Sequence, residues 1–437
     1  MTRLIYPTTN LKALEQLVIE RGEGVYVYDN HGKQYLEGMA GLWCAGLGYG
    51  NRELIDCISE QLAKLSYTHM FGGKTHPPGM DLADRLAEMV PVDNAMVFFG
   101  NSGSDANDTL VKIIRYHANI TGRPHKRKII TRERAYHGVT VASGSLTSLP
   151  ANLAHFDPPF EALGILRTDH PHYYRGAESG ESEADFVARL ARNLEELILR
   201  EGPETIAAFL AEPITGASGV IVPPAGYYEA IQPILAKYDI LFWADEVITG
   251  FGRTGHRFGC ETANIREPAM MTFAKQLSSA YYPISAAVIR GDMYEPMVEP
   301  SAEVGMFGHG YTYSGHPAAC AAALKTLDIY ERDGLYEHAA RMGEYLQRKL
   351  APLAEHERVG EVRGVGLIAA VELVKDKDSH EPDNELGKRA TLRCQENGLI
   401  VRNVAGCALA VCPPLIIDQQ QIDELADKLE RSITESV

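Results

Sequence analysis

The chain has 437 residues, too long for one simple core and suited to two or three interlocked domains. Hydrophobic residues make up 45%, charged residues 23%, and the formal net charge is -16. With its Lys and Arg dispersed among more numerous acids, such a chain does not suit nucleic acid as a partner, and no run approaches the ~18–20 apolar residues of a membrane span.

The start, from Met1 to Pro7, has no apolar signal core. The seven cysteines (Cys44, Cys57, Cys260, Cys320, Cys394, Cys407, Cys412) form no Cys-x-x-Cys pair, which suits free thiols in a reducing cytoplasm. A soluble cytoplasmic protein is therefore expected.

Up to about Gly48 the chain is turn-rich and strand-like. Residues 52–67 predict a helix with Leu54, Ile58, Leu62 and Leu65 on one face. Apolar strands follow at 95–99 and 128–131, a helix at 183–202, and further strands at 206–211, 240–244, 269–274 and 285–289. Several are apolar on both faces, the mark of a sheet covered by helices on both sides. After Gly315 come an Ala-rich helix at 317–332 with Pro at its start, a charged helix, short strands within 359–374 and 399–413, and a last helix after Asp418. This alternation predicts an α/β protein. Residues 49–315 form a large domain with a mostly parallel sheet, and residues 1–48 with 316–437 a smaller α+β domain built from both chain ends.

Two glycine patterns imitate a dinucleotide fingerprint. Gly250-Phe-Gly-Arg-Thr-Gly255 follows an apolar strand, but no amphipathic helix comes after it. Gly364-Val-Gly-Leu-Ile-Ala369 runs into a strand. Neither has the strand–turn–helix context that the chemistry needs.

Three other features sit where buried strands stop, the edge at which open α/β sheets bind ligands. The first is Phe98-Phe-Gly-Asn-Ser-Gly-Ser-Asp-Ala-Asn107, a strand, a Gly/Ser turn and a helix start. Backbone N–H groups there, with the Ser102 and Ser104 hydroxyls, suit a phosphate, although the same residues are ordinary helix caps. The second is Ile240-Leu-Phe-Trp-Ala-Asp-Glu246. Burial there raises the pKa of Asp245, so it stays ionised only beside a cation or donor. A pyridinium at about 4 Å is worth ~4 kcal/mol before desolvation, against the plainer reading of a buried ion partner or helix cap. The third is Ala269-Met-Met-Thr-Phe-Ala-Lys275. Most strand-end lysines are simply solvated. One that attacks an aldehyde must be neutral, which lowers its pKa from ~10.4 toward 7 through burial and a neighbouring cation.

Phosphate cradle, pyridinium partner and aldehyde-binding lysine are together what pyridoxal 5'-phosphate requires. The ordered motifs Asn101-Ser-Gly-Ser-Asp-Ala-Asn-Asp, Ala135-Tyr-His-Gly-Val-Thr, Ala211-Glu-Pro, Ala244-Asp-Glu-Val-Ile-Thr-Gly-Phe-Gly-Arg-Thr-Gly, Ala274-Lys and Gly310-Tyr-Thr-Tyr-Ser-Gly-His-Pro resemble, nearly end to end, the class III aminotransferases of the fold-type I pyridoxal-phosphate superfamily.

The resemblance implies that Lys275 holds the cofactor as a Schiff base and Asp245 its ring nitrogen. Ser102, Gly103 and Ser104 bind the phosphate, Tyr136 and Val247 cover the two ring faces, and His137 and Glu212 lie beside them. Thr312 reaches the phosphate from the second subunit of a homodimer (or higher homo-oligomer) with shared sites. Asp105 replaces a usual Glu, Gln276 a commoner Gly or Asn, and Ala280 a usual Gly, all bordering the cofactor.

Within the class the chain is most similar to ω-amine:pyruvate transaminases. Trp43, Met70, Phe71 and Tyr136 then line the pocket, and Arg402 pairs with the carboxylate of an oxo-acid acceptor, expected to be pyruvate. No metal is implied. The expected reaction is ping-pong, with Lys275 also moving the proton. Donors such as polyamines, β-alanine, taurine or 4-aminobutyrate, a glutamate-semialdehyde-type aminomutase, and a non-catalytic binding protein on the same scaffold are alternatives.

Overall fold

The doubly apolar strands come together as one seven-stranded sheet in the computed structural model, which describes residues 3–12 and 16–437. Ahead of it lies an antiparallel meander of β1 (Ile19–Glu23), β2 (Tyr26–Asp29) and β3 (Gln34–Glu37). The central sheet comprises β4 (Met96–Gly100), β5 (Lys128–Arg132), β6 (Ile165–Thr168), β7 (Ile206–Ala211), β8 (Leu241–Asp245), β9 (Met270–Phe273) and β10 (Ser285–Ile289). Its order is β4-β10-β9-β8-β7-β5-β6, parallel except for β10, which runs against both β4 and β9.

Every residue of β7, β9 and β10 is buried, as expected for strands covered on both sides. Alternation along β7 divides the core. Phe209 and Ala211 join one cluster with Leu190, Leu194 and Ile198 of the helix Glu183–Glu201. Leu210 joins another with Leu110, Ile113 and Ile114 of the helix Gly103–Ile120.

The chain ends meet beside this sheet. β11 (Val359–Val365), β12 (Ile368–Leu373), β14 (Arg402–Val404) and β15 (Ala408–Val411) form an antiparallel sheet, while β13 (Leu399–Ile400) leaves it to pair in parallel with β3. The Arg253 guanidinium, fully buried without an acid, joins three regions: it donates to Leu367 O at 2.8 Å, Pro413 O at 2.6 Å and Gln276 Oε1 at 3.2 Å.

Here the two glycine patterns acquire their physical meaning. A Cβ on Gly255 would lie 3.0 Å from Ala340 Cα, and one on Gly366 would lie 2.4 Å from the Thr254 carbonyl carbon. These glycines permit backbone to approach backbone. The segment after Gly255 reaches only a one-turn helix, Gly259–Thr262.

The expected helix at 52–67 is shorter, Arg52–Lys64, because Leu65 is extended at its C-cap. Of the four residues assigned to one buried face, only Leu54 is buried, while Leu62 and Leu65 are exposed. The helix packs on Pro317–Arg332 through a narrower stripe than its periodicity suggests.

Ala280 shows what its departure from glycine costs. Its φ is +64°, in the left-handed region, directly after Ser279 at +50°. The turn is held there because the Tyr281 hydroxyl donates to Gly48 O at 3.2 Å and accepts the Asn51 N–H at 2.7 Å. A left-handed Ala costs ~1–2 kcal/mol, more than the extra chain entropy of Gly. Ala280→Gly is expected to stabilise the protein by ~0.5–1 kcal/mol in denaturant unfolding. A lower midpoint for that variant would refute the strain.

Candidate active site

β4 ends at Gly100, and Ser102 caps the helix Gly103–Ile120 with an extended backbone (φ -152°, ψ 158°). The shorter Asp105 still closes the capping box, so the turn keeps its shape. Its carboxylate accepts the Ser102 N–H at 3.0 Å and the Asn101 N–H at 2.9 Å, the Ser285 hydroxyl donates to it at 2.9 Å, and the Asp105 N–H returns to Ser102 Oγ at 3.2 Å. The first two helical N–H groups, of Gly103 and Ser104, have no acceptor within the described chain. A Cβ on Gly103 would lie 3.0 Å from Val247 Cγ2, so this turn and Val247 are packed together. The Val139 N–H donates to Ser104 Oγ at 3.2 Å.

Asp245 closes β8, buried, with its carboxylate fully engaged. Oδ2 accepts from His137 Nδ1 at 2.7 Å and Asn107 Nδ2 at 3.1 Å, and Oδ1 accepts the Val247 N–H at 3.1 Å. A carboxylate only accepts, so His137 carries its proton on Nδ1. His137 is thus brought to Asp245, and its buried Nε2 has no partner.

Sequence reasoning missed Asn107. It donates to His137 O at 2.7 Å as well as to Asp245, and it accepts from Thr272 Oγ1 at 2.7 Å, which in turn accepts from Trp243 Nε1 at 2.8 Å. The available signal was an amide within the apolar stripe of Ala106, Leu110 and Ile114, where a buried polar group needs partners.

Lys275 follows β9 at φ +46°, a left-handed backbone in a non-glycine residue. Protein surrounds the side chain closely, although part of it faces the cleft. Burial holds the amine below the ordinary lysine range. The expected helping cation is absent from the charges that act on it: Asp245 and Glu212 pull the other way, so desolvation carries the shift.

Glu212, just beyond β7, uses Oε1 to accept the Tyr136 N–H at 3.2 Å and Oε2 to accept the Gly216 N–H at 2.9 Å. Burial raises its pKa. It holds the Tyr136 segment from beneath. Tyr136 is half-buried, its phenol pushed up by burial while Arg402 pulls it down. Arg402, on β14, has its own pKa lowered by burial, with Tyr136 opposing. It makes no ion pair with any described acid.

Trp43 is buried among Met39, Ile214, Ile248 and Val404, while the neighbouring Cys44 lies within electrostatic reach of Lys275. Gln276 is tied away from the cleft, donating to Gly250 O at 3.0 Å.

Three expected residues gather elsewhere. Thr312 is exposed, and its carbonyl accepts the Tyr67 hydroxyl at 2.7 Å. Met70 packs at Gly315 and Phe71 at Gly310, on that same segment. Among the described residues, no hydrogen bond joins these three to the Ser102–Ser104 turn or to Lys275.

Open N–H groups at a helix start, a hydrogen-bonded buried carboxylate and a desolvated lysine fit a phosphorylated pyridine aldehyde. The sequence profile of the class III aminotransferases matches residues 8–433. Among relatives, a chloroplastic gamma-aminobutyrate transaminase 3 from Solanum lycopersicum is 46% identical over 97% of this chain and 81% of its own length. The mitochondrial gamma-aminobutyrate transaminase 1 of Oryza sativa is 48% identical over 94% of this chain and 79% of its own. Among solved structures, the ω-transaminase from Pseudomonas jessenii in complex with pyridoxamine phosphate is 49% identical, with a TM-score of 0.96 over 99% of this chain and 96% of that one. Related structures include thermostable variants engineered for asymmetric synthesis of bulky amines. The fold and site define a pyridoxal-phosphate-dependent transferase. The chain belongs to the class III aminotransferases.

The depressed pKa of Lys275 carries a sign. Its folded value lies below the unfolded 10.5, so folding penalises the charged amine. That penalty is complete below the folded pKa and vanishes as pH rises through 10.5. In cofactor-free protein, Lys275→Met is expected to raise Tm near neutral pH, with the gain shrinking toward pH 10.5. A gain that does not vary with pH, or no gain, contradicts the burial argument.

Proposed function

We propose that this aminotransferase passes amino groups from a carboxylate-free amine or an ω-amino acid to pyruvate. The observation that carries the acceptor half is Arg402, a partly buried guanidinium beside Tyr136 with no acid of its own. Such a fork binds a carboxylate bidentately, the geometry an oxo-acid offers.

Support for the amine pocket comes from the engineered relatives. Their altered tryptophan, phenylalanine and arginine have the same mutual spacing in the chain as Trp43, Phe71 and Arg402 here. The names of the plant relatives favour 4-aminobutyrate as a second donor reading.

Pyridoxal phosphate, when bound, supplies an aldehyde for the amine and a ring that accepts electron density. The residues here would serve it as follows. The Gly103 and Ser104 N–H groups, with the Ser102 and Ser104 hydroxyls, hold the phosphate. Asp245, held by His137 and Asn107, would meet the ring nitrogen, while Tyr136 and Val247 would cover the two faces. Glu212 fixes Tyr136 in place. Lys275 Nζ, its pKa lowered by burial, would anchor the aldehyde and would carry the proton at the amine-bearing carbon.

The assembly proposed is a homodimer with shared sites. Thr312, Tyr313, Val304 and Met306 are exposed on one segment, and Val139 and Val141 are exposed next to Ser104. Met70 and Phe71, packed on the Thr312 segment, then line the partner's pocket. Residues 49–315 as one domain and the two chain ends as the other follow the division of the sheets. The seven unpaired thiols suit a reducing compartment such as the cytoplasm. Among the described residues no helix is long and apolar enough to cross a membrane.

Lys275→Ala is expected to bind cofactor without the imine absorbance band and to lose turnover by ~10³-fold or more. An undiminished rate ends the proposal. Arg402→Ala is expected to lower kcat/KM for pyruvate about 10- to 100-fold and that for a simple aldehyde acceptor far less. Equal losses with both acceptors would remove the carboxylate role.

A further inference from the structure

The segment that bears Trp43 is under backbone strain, and one buried acid outside the catalytic set holds it. Ala40 (φ +46°), Gly41 (φ +67°) and Trp43 (φ +64°) are all left-handed. For a residue as bulky as Trp this backbone persists only where the surroundings impose it. The Trp43 N–H closes onto Met39 O at 2.9 Å and the Cys44 N–H onto Ala40 O at 3.0 Å, so the bend closes onto Met39 and Ala40.

Glu37, the last residue of β3, accepts the Met39 N–H on Oε1 at 3.0 Å, with the Gly41 N–H as a further donor. The same residue pairs in parallel with Ile400, two positions before Arg402, and the next carbonyl, Gly38 O, accepts the Cys412 N–H at 2.6 Å. Glu37 therefore lies where the strained Trp43 bend and the strands carrying Arg402 are fastened together.

We propose that Glu37 is a positioning residue for amine specificity: its carboxylate pins the Trp43 bend, and losing that charge relaxes the wall against which the amine's substituent packs. This rests on the reading of Trp43 as a pocket residue.

The pH at which it acts follows from its surroundings. Glu37 is buried, pairs with no cation, and is pushed up to about 7 by desolvation, against which the two N–H donors work. The titratable groups that face it are Cys44 on the bend, Cys412 just beyond β15 and Tyr49 in the segment before Arg52. Burial raises all three, Cys412 to about 11, so they stay neutral around pH 7. A protonated Glu37 keeps an oxygen for the Met39 N–H but no charge, so the charge-assisted bond that anchors the bend weakens.

The test uses the holoenzyme and the ratio of kcat/KM for a small aliphatic amine to that for a bulky arylalkyl amine of matched pKa. Taking the ratio cancels titration of Lys275, the cofactor and the amine. Wild type is expected to discriminate several-fold less below pH 7 than above it, with a midpoint near 7. Glu37→Gln, which keeps an acceptor but no charge, should give the low ratio at every pH. A ratio that is flat with pH in wild type, or that titrates identically in Glu37→Gln, overturns the proposal. Because the chain has two tryptophans, emission provides a second readout that needs no Glu37 variant. The component lost in Trp43→Phe should titrate near pH 7 in wild type, and a pH-independent component counts against the proposal. If Trp43→Phe leaves the amine ratio unchanged at all pH values, the pocket reading itself fails instead.

Discussion

A carboxylate buried at the end of a strand is unstable unless donors surround it, and Asp245 organises much of this protein around that requirement. Its three donors come from three places: His137 after β5, Asn107 on the helix after β4, and the backbone just beyond Asp245 itself. Meeting them fixes the helix start, and with it the Gly103 and Ser104 N–H groups, relative to the strand end. Asn107 passes the constraint on to Thr272 in β9, two residues before Ala274 and three before Lys275. The Ser102–Ser104 turn, Asp245 and Lys275 are therefore registered by one polar network through the sheet. Such networks are stiff because each member left unpaired in a dry core is costly.

Burial has the opposite effect on the amine. Asp245 is given three donors, while Lys275 Nζ has no hydrogen-bond partner among the described residues and burial lowers its pKa. The acids nearby would favour its protonation, and desolvation outweighs them. The outer wall is built on another basis, with Trp43 held in a strained bend and Arg402 left without an acid, both on elements outside the central sheet.

Most of the central sheet was legible because its strands are apolar at consecutive positions, as in 206–211, and because Gly, Ser, Asp and Lys interrupt that pattern at the strand ends. Lys275, Asp245 and the Ser102 turn were readable for the same reason. The helix at 52–67 was overextended because periodicity reports a face but not whether anything covers it, and Leu62 and Leu65 stay exposed. Asn107 was hidden as one amide in an apolar helix, its meaning set by residues distant in sequence. The left-handed backbones at Ala280 and Trp43 were equally hidden, because tertiary contacts impose them. Glycine at 366 looked like a nucleotide motif and is a contact between backbones, a distinction that spacing does not make.

The pairing of β3 with β13 has a consequence for how the protein comes into being. The elements of this chain that would grip its own cofactor lie between Asn101 and Lys275, and β10, which joins β4 to β9, follows directly, so the central sheet is complete at Ile289, within the first two-thirds of the chain to leave the ribosome. Trp43 emerges earlier still, but the strand bearing Arg402 and the carbonyl-to-amide link from Gly38 to Cys412 come last. The chain can thus complete the sheet beneath its proposed reactive centre before the strand that bears Arg402 exists. On the roles proposed for Trp43 and Arg402, selectivity is the last property that synthesis confers.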